Sequence, residues 1–181
     1  AASITRAGGA SGWSALVGIG DTHLSAARID LGAGNLMIAG PMGSGRTSAL
    51  LTVAASTAVD GSSVRRVLVV PRSSSLEAWS GWDLVAVGDE GAGIARRLAS
   101  EATSGAGPTV VYVDDATELG TEVDAELALL AAVSRRHDLR LVVAAEAALA
   151  RSSYGGILAA LRRERRALLL QPDVELDGDL A

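Results

Sequence analysis

The sequence of 181 residues has no cysteine, no phenylalanine and, among its 16 basic residues, no lysine. Without cysteine there is no disulfide framework and no thiolate metal site, which suits a reducing compartment. Without phenylalanine, and with only Trp13, Trp79, Trp82, Tyr112 and Tyr154 as aromatics, a core must be built from Ala, Val, Leu and Ile. The lack of lysine beside abundant Ala, Gly and Arg reads as a genome-level bias, which bears on one arginine below. No uninterrupted apolar run approaches the roughly 20 residues of a membrane span. The first thirty residues hold no apolar core after a basic start, so no secretory leader is expected in them. Positive charge is also scarce. A net charge of −5 argues against a surface that grips nucleic acid along its whole length, although a local basic patch stays open.

What is present is a globular composition, 49% hydrophobic and 20% charged. The length suits one well-buried domain and is too short for two ordinary ones. The opening AASITRAGGASG lacks Met and is rich in small residues; we expect a piece of a longer polypeptide, with residues 1–14 as linker. The acidic, turn-rich close sets off 172–181 as a tail, leaving 15–171 as the domain. Within it, short apolar runs alternate with amphipathic stretches. Strands are expected at 27–31, 35–39, 66–70, 83–87, 109–115, 139–145 and 167–171. Helices are expected over 48–59, stopped by Asp60-Gly61, and over 93–102, 121–136 and 154–164. A short capped helix fits SSSLEAW. This alternation predicts an α/β fold: an open, mostly parallel sheet with helices on both faces.

One stretch carries chemistry. Residues 40–50 read GPMGSGRTSAL, the phosphate-loop pattern G-x-x-x-x-G-K-[ST] with Arg46 in the lysine position. Gly40, Gly43 and Gly45 remove side chains where backbone must wrap an anion. The N–H groups of the loop, with Pro41, Ser44 and Ser48 around them, then face the phosphates at the positive end of a helix. Thr47 stands where a hydroxyl would ligate Mg²⁺. Arg46 keeps the charge of lysine on a longer planar group that favours two-point contacts, so binding is expected to survive better than turnover. Downstream, VVYVDD ends a strand in two acids. Asp114 is the candidate for the Mg²⁺ shell. Asp115 sits where a water-orienting carboxylate belongs, but on a side chain about 1.5 Å shorter than glutamate. The alternative for Asp115 and Glu118 is that they only acidify the turn.

GIGDTHLSAARIDLGAGNLMIAGPMGSGRTSAL, VVYVDDATEL and LRLVVAAEAALARSSYGGILAALRRERRALLLQPDVELDGDL, taken in this order, resemble FtsK/SpoIIIE-type ATPase domains. They are most similar to the terminal ATPase module of EssC/EccC type VII secretion motors. The likeness runs from about Val17 to Leu180. It implies a RecA-like P-loop core, ATP and Mg²⁺ as ligands, and ring-forming neighbours. It also implies a place among several ATPase modules of one membrane-anchored chain, with this domain on the cytoplasmic side. The cargo it implies is either DNA or a secreted protein. The sequence departs from the active pattern at Arg46, at Asp115 and at Ala144-Ala145-Glu146, where active members carry a polar sensor. Terminal modules are often degenerate in this way.

Other residues stay open. Arg162, Arg163 and Arg166 would share one side of a helix, either as a solvated face partnered by the acidic tail or as a contact to a neighbouring subunit's phosphates. Arg151 matches the family's A-R position and is a second candidate for that contact. Trp79 and Trp82 are either a small internal anchor or a docking patch. His23 and His137 lack metal-ligand spacing. Three functions therefore remain: a nucleotide-binding module with little turnover, a working translocating ATPase, and a protein-recognition module with an empty crevice.

Overall fold

The computed structural model describes residues 4–5, 13–21, 24–59, 63–173 and 175–180. In chain order come β1 (Ile4–Thr5), β2 (Trp13–Ile19), β3 (Ala26–Asp30), β4 (Leu36–Gly40), α1 (Arg46–Ser56) and β5 (Ala58–Val59). Next are β6 (Arg65–Val70), β7 (Leu84–Val87), α2 (Glu90–Thr103), β8 (Thr109–Val113) and α3 (Thr121–Ser134). The chain ends with β9 (Leu139–Glu146), α4 (Ala147–Ser152), α5 (Gly156–Arg162) and β10 (Ala167–Leu169), followed by a 3₁₀ turn at Asp177–Leu180.

The main sheet has six strands in the order β10-β4-β9-β8-β6-β7, all parallel. Its central strands are apolar throughout because both faces are covered. Leu36, Ile38, Leu68, Val70, Val110, Tyr112, Val142 and Ala144 face α1 and the N-terminal strands. Their neighbours Met37, Ala39, Val67, Val69, Val111, Val113, Leu141 and Val143 face α2, α3, α4 and α5. The alternation of the pleat thus sorts one apolar run into two cores.

A second sheet, β1-β3-β2-β5, is antiparallel and packs on α1. Two expectations change here. Trp13 and Ser14 belong to β2, with Trp13 buried, instead of to a linker. The helix expected to run to residue 59 ends at Ser56. The Ser56 hydroxyl accepts from Leu16 N–H (2.8 Å) and Thr57 Oγ1 donates to Val53 O (2.7 Å), so hydroxyls take over the backbone partners and free Ala58–Val59 to pair with β2. Of the expected stop, Asp60 and Gly61 lie outside the described residues.

The arginine run also differs from expectation. α5 ends at Arg162, and Arg165 takes a left-handed conformation (φ 52°), so no single helical face carries the run. Arg166 turns inward, donating to Asp30 O and Asn35 O, while Arg163 and Arg165 are exposed. Arg162 donates to Arg151 O, and Arg151 pairs with buried Asp177. The last described residues are therefore docked: Asp177 also accepts from Asp173 N–H, and Leu180 is buried in the core.

Candidate functional site

β4 delivers the chain into the glycine-rich loop at the C-terminal edge of the parallel sheet, where ligands of such sheets bind. Gly40 is required by close approach: a Cβ there would lie 2.5 Å from Ser44 Oγ and 2.7 Å from Leu170 O. Gly43 and Gly45 have φ of 77° and 89°, conformations that side chains resist, and a Cβ at either would meet nothing within 4 Å, so the space beside them is open. Gly45, at the start of α1, has no side chain with which to cap the first turn. Pro41, Met42, Gly43, Thr47 and Ser48 are exposed around the loop.

β8, two strands away, brings in the acids. Thr47 Oγ1 donates to Asp114 Oδ2 at 2.9 Å, uniting the first turn of α1 with the end of β8. Asp114 is buried, and its second oxygen has no hydrogen-bond partner; Ser44 Oγ in the loop is orphaned likewise. Burial pushes the Asp114 carboxyl above its ordinary range, the Thr47 hydroxyl opposes this, and the neighbouring charge of Asp115 adds to it. A buried anion with a free oxygen beside a hydroxyl fits a Mg²⁺ held by one or two protein oxygens plus phosphates and water. Among the described residues no group of three or more His, Asp or Glu could cage a metal without such a ligand.

Arg46 lies along the loop, donating to Gly40 O at 2.8 Å and to Asp115 Oδ1 at 3.4 Å. Asp115 is left-handed (φ 47°) and turns its other oxygen toward Arg72, 3.8 Å away; Arg72 pairs in turn with Glu118. Arg72 was not anticipated. The available signal was its place just beyond β6, at the same sheet edge as the loop. Ala144 and Ala145 are buried in β9 and present no polar group, while Glu146 lies opposite Gly40 in the β4–β9 register.

The remaining candidates lie elsewhere. Trp79 and Trp82 are half-buried and meet edge to face at 4.7 Å. Trp82 packs on Tyr112 at 5.4 Å and donates to Leu76 O, which makes the pair an internal anchor. His137 is half-buried in the turn after α3, and His23 lies outside the described residues. Arg151, Arg162, Arg163 and Arg165 line a depression with Tyr154 and with Asp179 of the acidic close. No described helix is long and apolar enough to cross a membrane.

No protein-family model matches the chain, and no curated protein matches it in sequence. Solved structures do match in shape. Thermomonospora curvata EccC (ATPases 2 and 3), in complex with a signal sequence peptide, superposes with a TM-score of 0.72 at 17% identity, covering 90% of this chain and 34% of that one. The cytoplasmic domain of the T. curvata type VII secretion ATPase EccC gives 0.72 at 16% identity, covering 90% and 22%. EssC (ATPases 2 and 3) from Geobacillus thermodenitrificans gives 0.72 at 18%, covering 92% and 35%. The chain thus spans about a third of these proteins or less. Its six-stranded parallel sheet, its loop between β4 and α1 and these superpositions together show that the chain has the P-loop fold of the EccC and EssC ATPase domains.

Proposed function

We propose that this chain is an ATP-binding motor module of the FtsK/SpoIIIE type with weak or absent hydrolysis, regulating or scaffolding a translocation assembly. The observation that carries this is the Thr47–Asp114 contact beneath the glycine loop, with Asp114 Oδ1 left free. A turn that served packing alone would not leave a buried carboxylate oxygen unpartnered beside a hydroxyl. Gly40, Gly43, Gly45, Ser44 and Ser48 hold the phosphates, with Pro41 shaping the turn. Thr47 and Asp114 hold Mg²⁺ and its water; when bound, the ion neutralises phosphate charge. Weak turnover follows from the acids and cations around the loop. Arg46 is engaged with Gly40 O and Asp115, and Asp115 faces two guanidiniums instead of an open water position.

The module acts beside other ATPase modules of a longer, membrane-anchored chain, on the cytoplasmic side and in a ring. The signal sequence peptide in the EccC complex, together with a net charge of −5 here, favours a secreted protein over DNA as cargo. A working ATPase is the second reading, favoured by the absence of lysine throughout the chain: Arg46 can then be a compositional replacement.

Titrating Mg-ATP into the chain by calorimetry tests the proposal. Binding in the micromolar range, lost in Thr47→Ala, is the expected result, with turnover no higher than that of the mutant. Turnover abolished by Asp114→Ala would move the conclusion to the working ATPase. No binding at millimolar ATP would leave partner recognition as the better account.

A further inference from the structure

The Arg46 guanidinium is where the phosphate loop departs furthest from an open anion site. Its two terminal nitrogens are both in use, one on Gly40 O at 2.8 Å and one on Asp115 Oδ1 at 3.4 Å. A two-point grip on phosphate needs that same edge of the fork. Asp115, left-handed in its backbone, meets Arg46 from just beyond the end of β8. Its other oxygen faces Arg72 from the end of β6, and Arg72 is anchored by Glu118. A chain of four alternating charges therefore closes on the loop, and its innermost member is the least exposed: the Arg46 side chain is 13% exposed against 64% for Arg72.

Resting on the reading of the loop as a nucleotide site, we propose that the loop is self-paired: Asp115 holds the Arg46 guanidinium against the Gly40 carbonyl, and an incoming phosphate must displace Asp115 to gain Arg46. Asp115 is a positioning residue here, and it sets the affinity of the loop for phosphate chains. The exchange moves no proton and breaks no covalent bond. One charge-assisted contact is replaced by another, with Arg72 retaining the released carboxylate. A water-orienting base would act on turnover and leave binding unchanged; here, removing the charge of Asp115 tightens binding.

The test is a cycle of Asp115→Asn, Arg46→Ala and the double variant in the 181-residue chain, titrated by calorimetry with Mg-tripolyphosphate and, separately, with Mg-ATP. Asn accepts the left-handed conformation better than most residues, so Asp115→Asn keeps the loop. The expected result is about fivefold tighter binding in Asp115→Asn, the shift that corresponds to one partly exposed ion pair, and less than about twofold in the Arg46→Ala background. Equal tightening in both backgrounds would mean that Asp115 only repels phosphate through its charge, and would overturn the pairing. Unchanged or weaker binding in Asp115→Asn would overturn it as well. Binding by Asp115→Asn but not by the natural sequence would sustain the pairing while sinking the proposal that the natural loop is loaded. Binding by none of the four proteins would sink both.

Discussion

The two edges of the parallel sheet treat buried polar groups in opposite ways. At the N-terminal edge they are fully paired. Asn35, 1% exposed, donates through Nδ2 to Glu164 Oε1 at 2.8 Å and accepts at Oδ1 from Ser134 Oγ (3.1 Å) and Leu141 N–H (2.9 Å). Arg140 stacks over Trp13 and donates to the carbonyls of Leu31, Gly32, Ser134, His137 and Leu139, tying the β3–β4 turn to the end of α3. At the C-terminal edge, Asp114 Oδ1 and Ser44 Oγ have no partner, and the start of α1 has no side-chain cap. Within one sheet, the closed edge pairs its buried polar atoms and the open edge leaves two of them without a partner.

The strongest way to break this comparison is at Asn35. Asn35→Ala strands the buried Leu141 N–H and removes one donor from Glu164, so it should cost about 2–4 kcal/mol in urea unfolding. Mg-ATP affinity should be unchanged, since the residue sits at the far edge from the loop. Thr47→Ala should give the reverse pattern, with binding lost and a smaller stability cost of about 1–2 kcal/mol, because truncating the exposed Thr47 opens the stranded Asp114 oxygen to water. A large stability loss in Thr47→Ala would mean that the open edge also serves the fold.

These two edges differ as much in how far the sequence reveals them. The loop was legible because an apolar strand, glycines and a hydroxyl follow one another within the twelve residues 36–47, and the acids end the most strand-like run in the chain. The main sheet was legible for the same reason, since strands buried on both faces read as unbroken apolar runs. The closed edge was not. Asn35 and Glu164 are 129 positions apart, and nothing local marks either as half of a pair. The small sheet was missed at Trp13-Ser14 because its Ser- and Gly-rich flank resembles a linker. The end of α1 was misplaced because a tertiary contact, Leu16 N–H to Ser56 Oγ, joins the local Thr57–Val53 bond in stopping it. Arg163 and Arg166 part company because the chain turns at Arg165, and arginine at a left-handed position gives no compositional warning.

Asp114 sharpens the comparison by putting function and stability in opposition. Folding raises its carboxyl range chiefly by burial, so the ionised form is penalised in the folded state. That penalty is full at neutral pH. It fades as pH falls through the raised folded value toward that of the unfolded chain. Asp114→Asn, which can still accept from Thr47, should therefore stabilise the ligand-free protein at pH 7 by on the order of 1 kcal/mol. The gain should shrink on acidification, and Mg-ATP binding should be lost. Equal gains at pH 7 and pH 4 would assign the effect to packing instead of charge.

A smaller loss of stability than in Asn35→Ala is expected where a buried hydroxyl is paired but its partner is not stranded by its loss. Tyr112 Oη donates to Thr57 Oγ1 at 2.7 Å, and Thr57 Oγ1 donates onward to Val53 O. Tyr112→Phe removes the first donor and keeps the second contact, together with the ring packing on Trp82. The cost should be about 0.5–1.5 kcal/mol, below that of Asn35→Ala, because no buried N–H is left alone. Both substitutions remove a side-chain hydrogen bond from the interior. If Tyr112→Phe cost as much as Asn35→Ala, the closed edge would owe its strength to the number of its hydrogen bonds and not to the absence of alternatives for the groups it pairs.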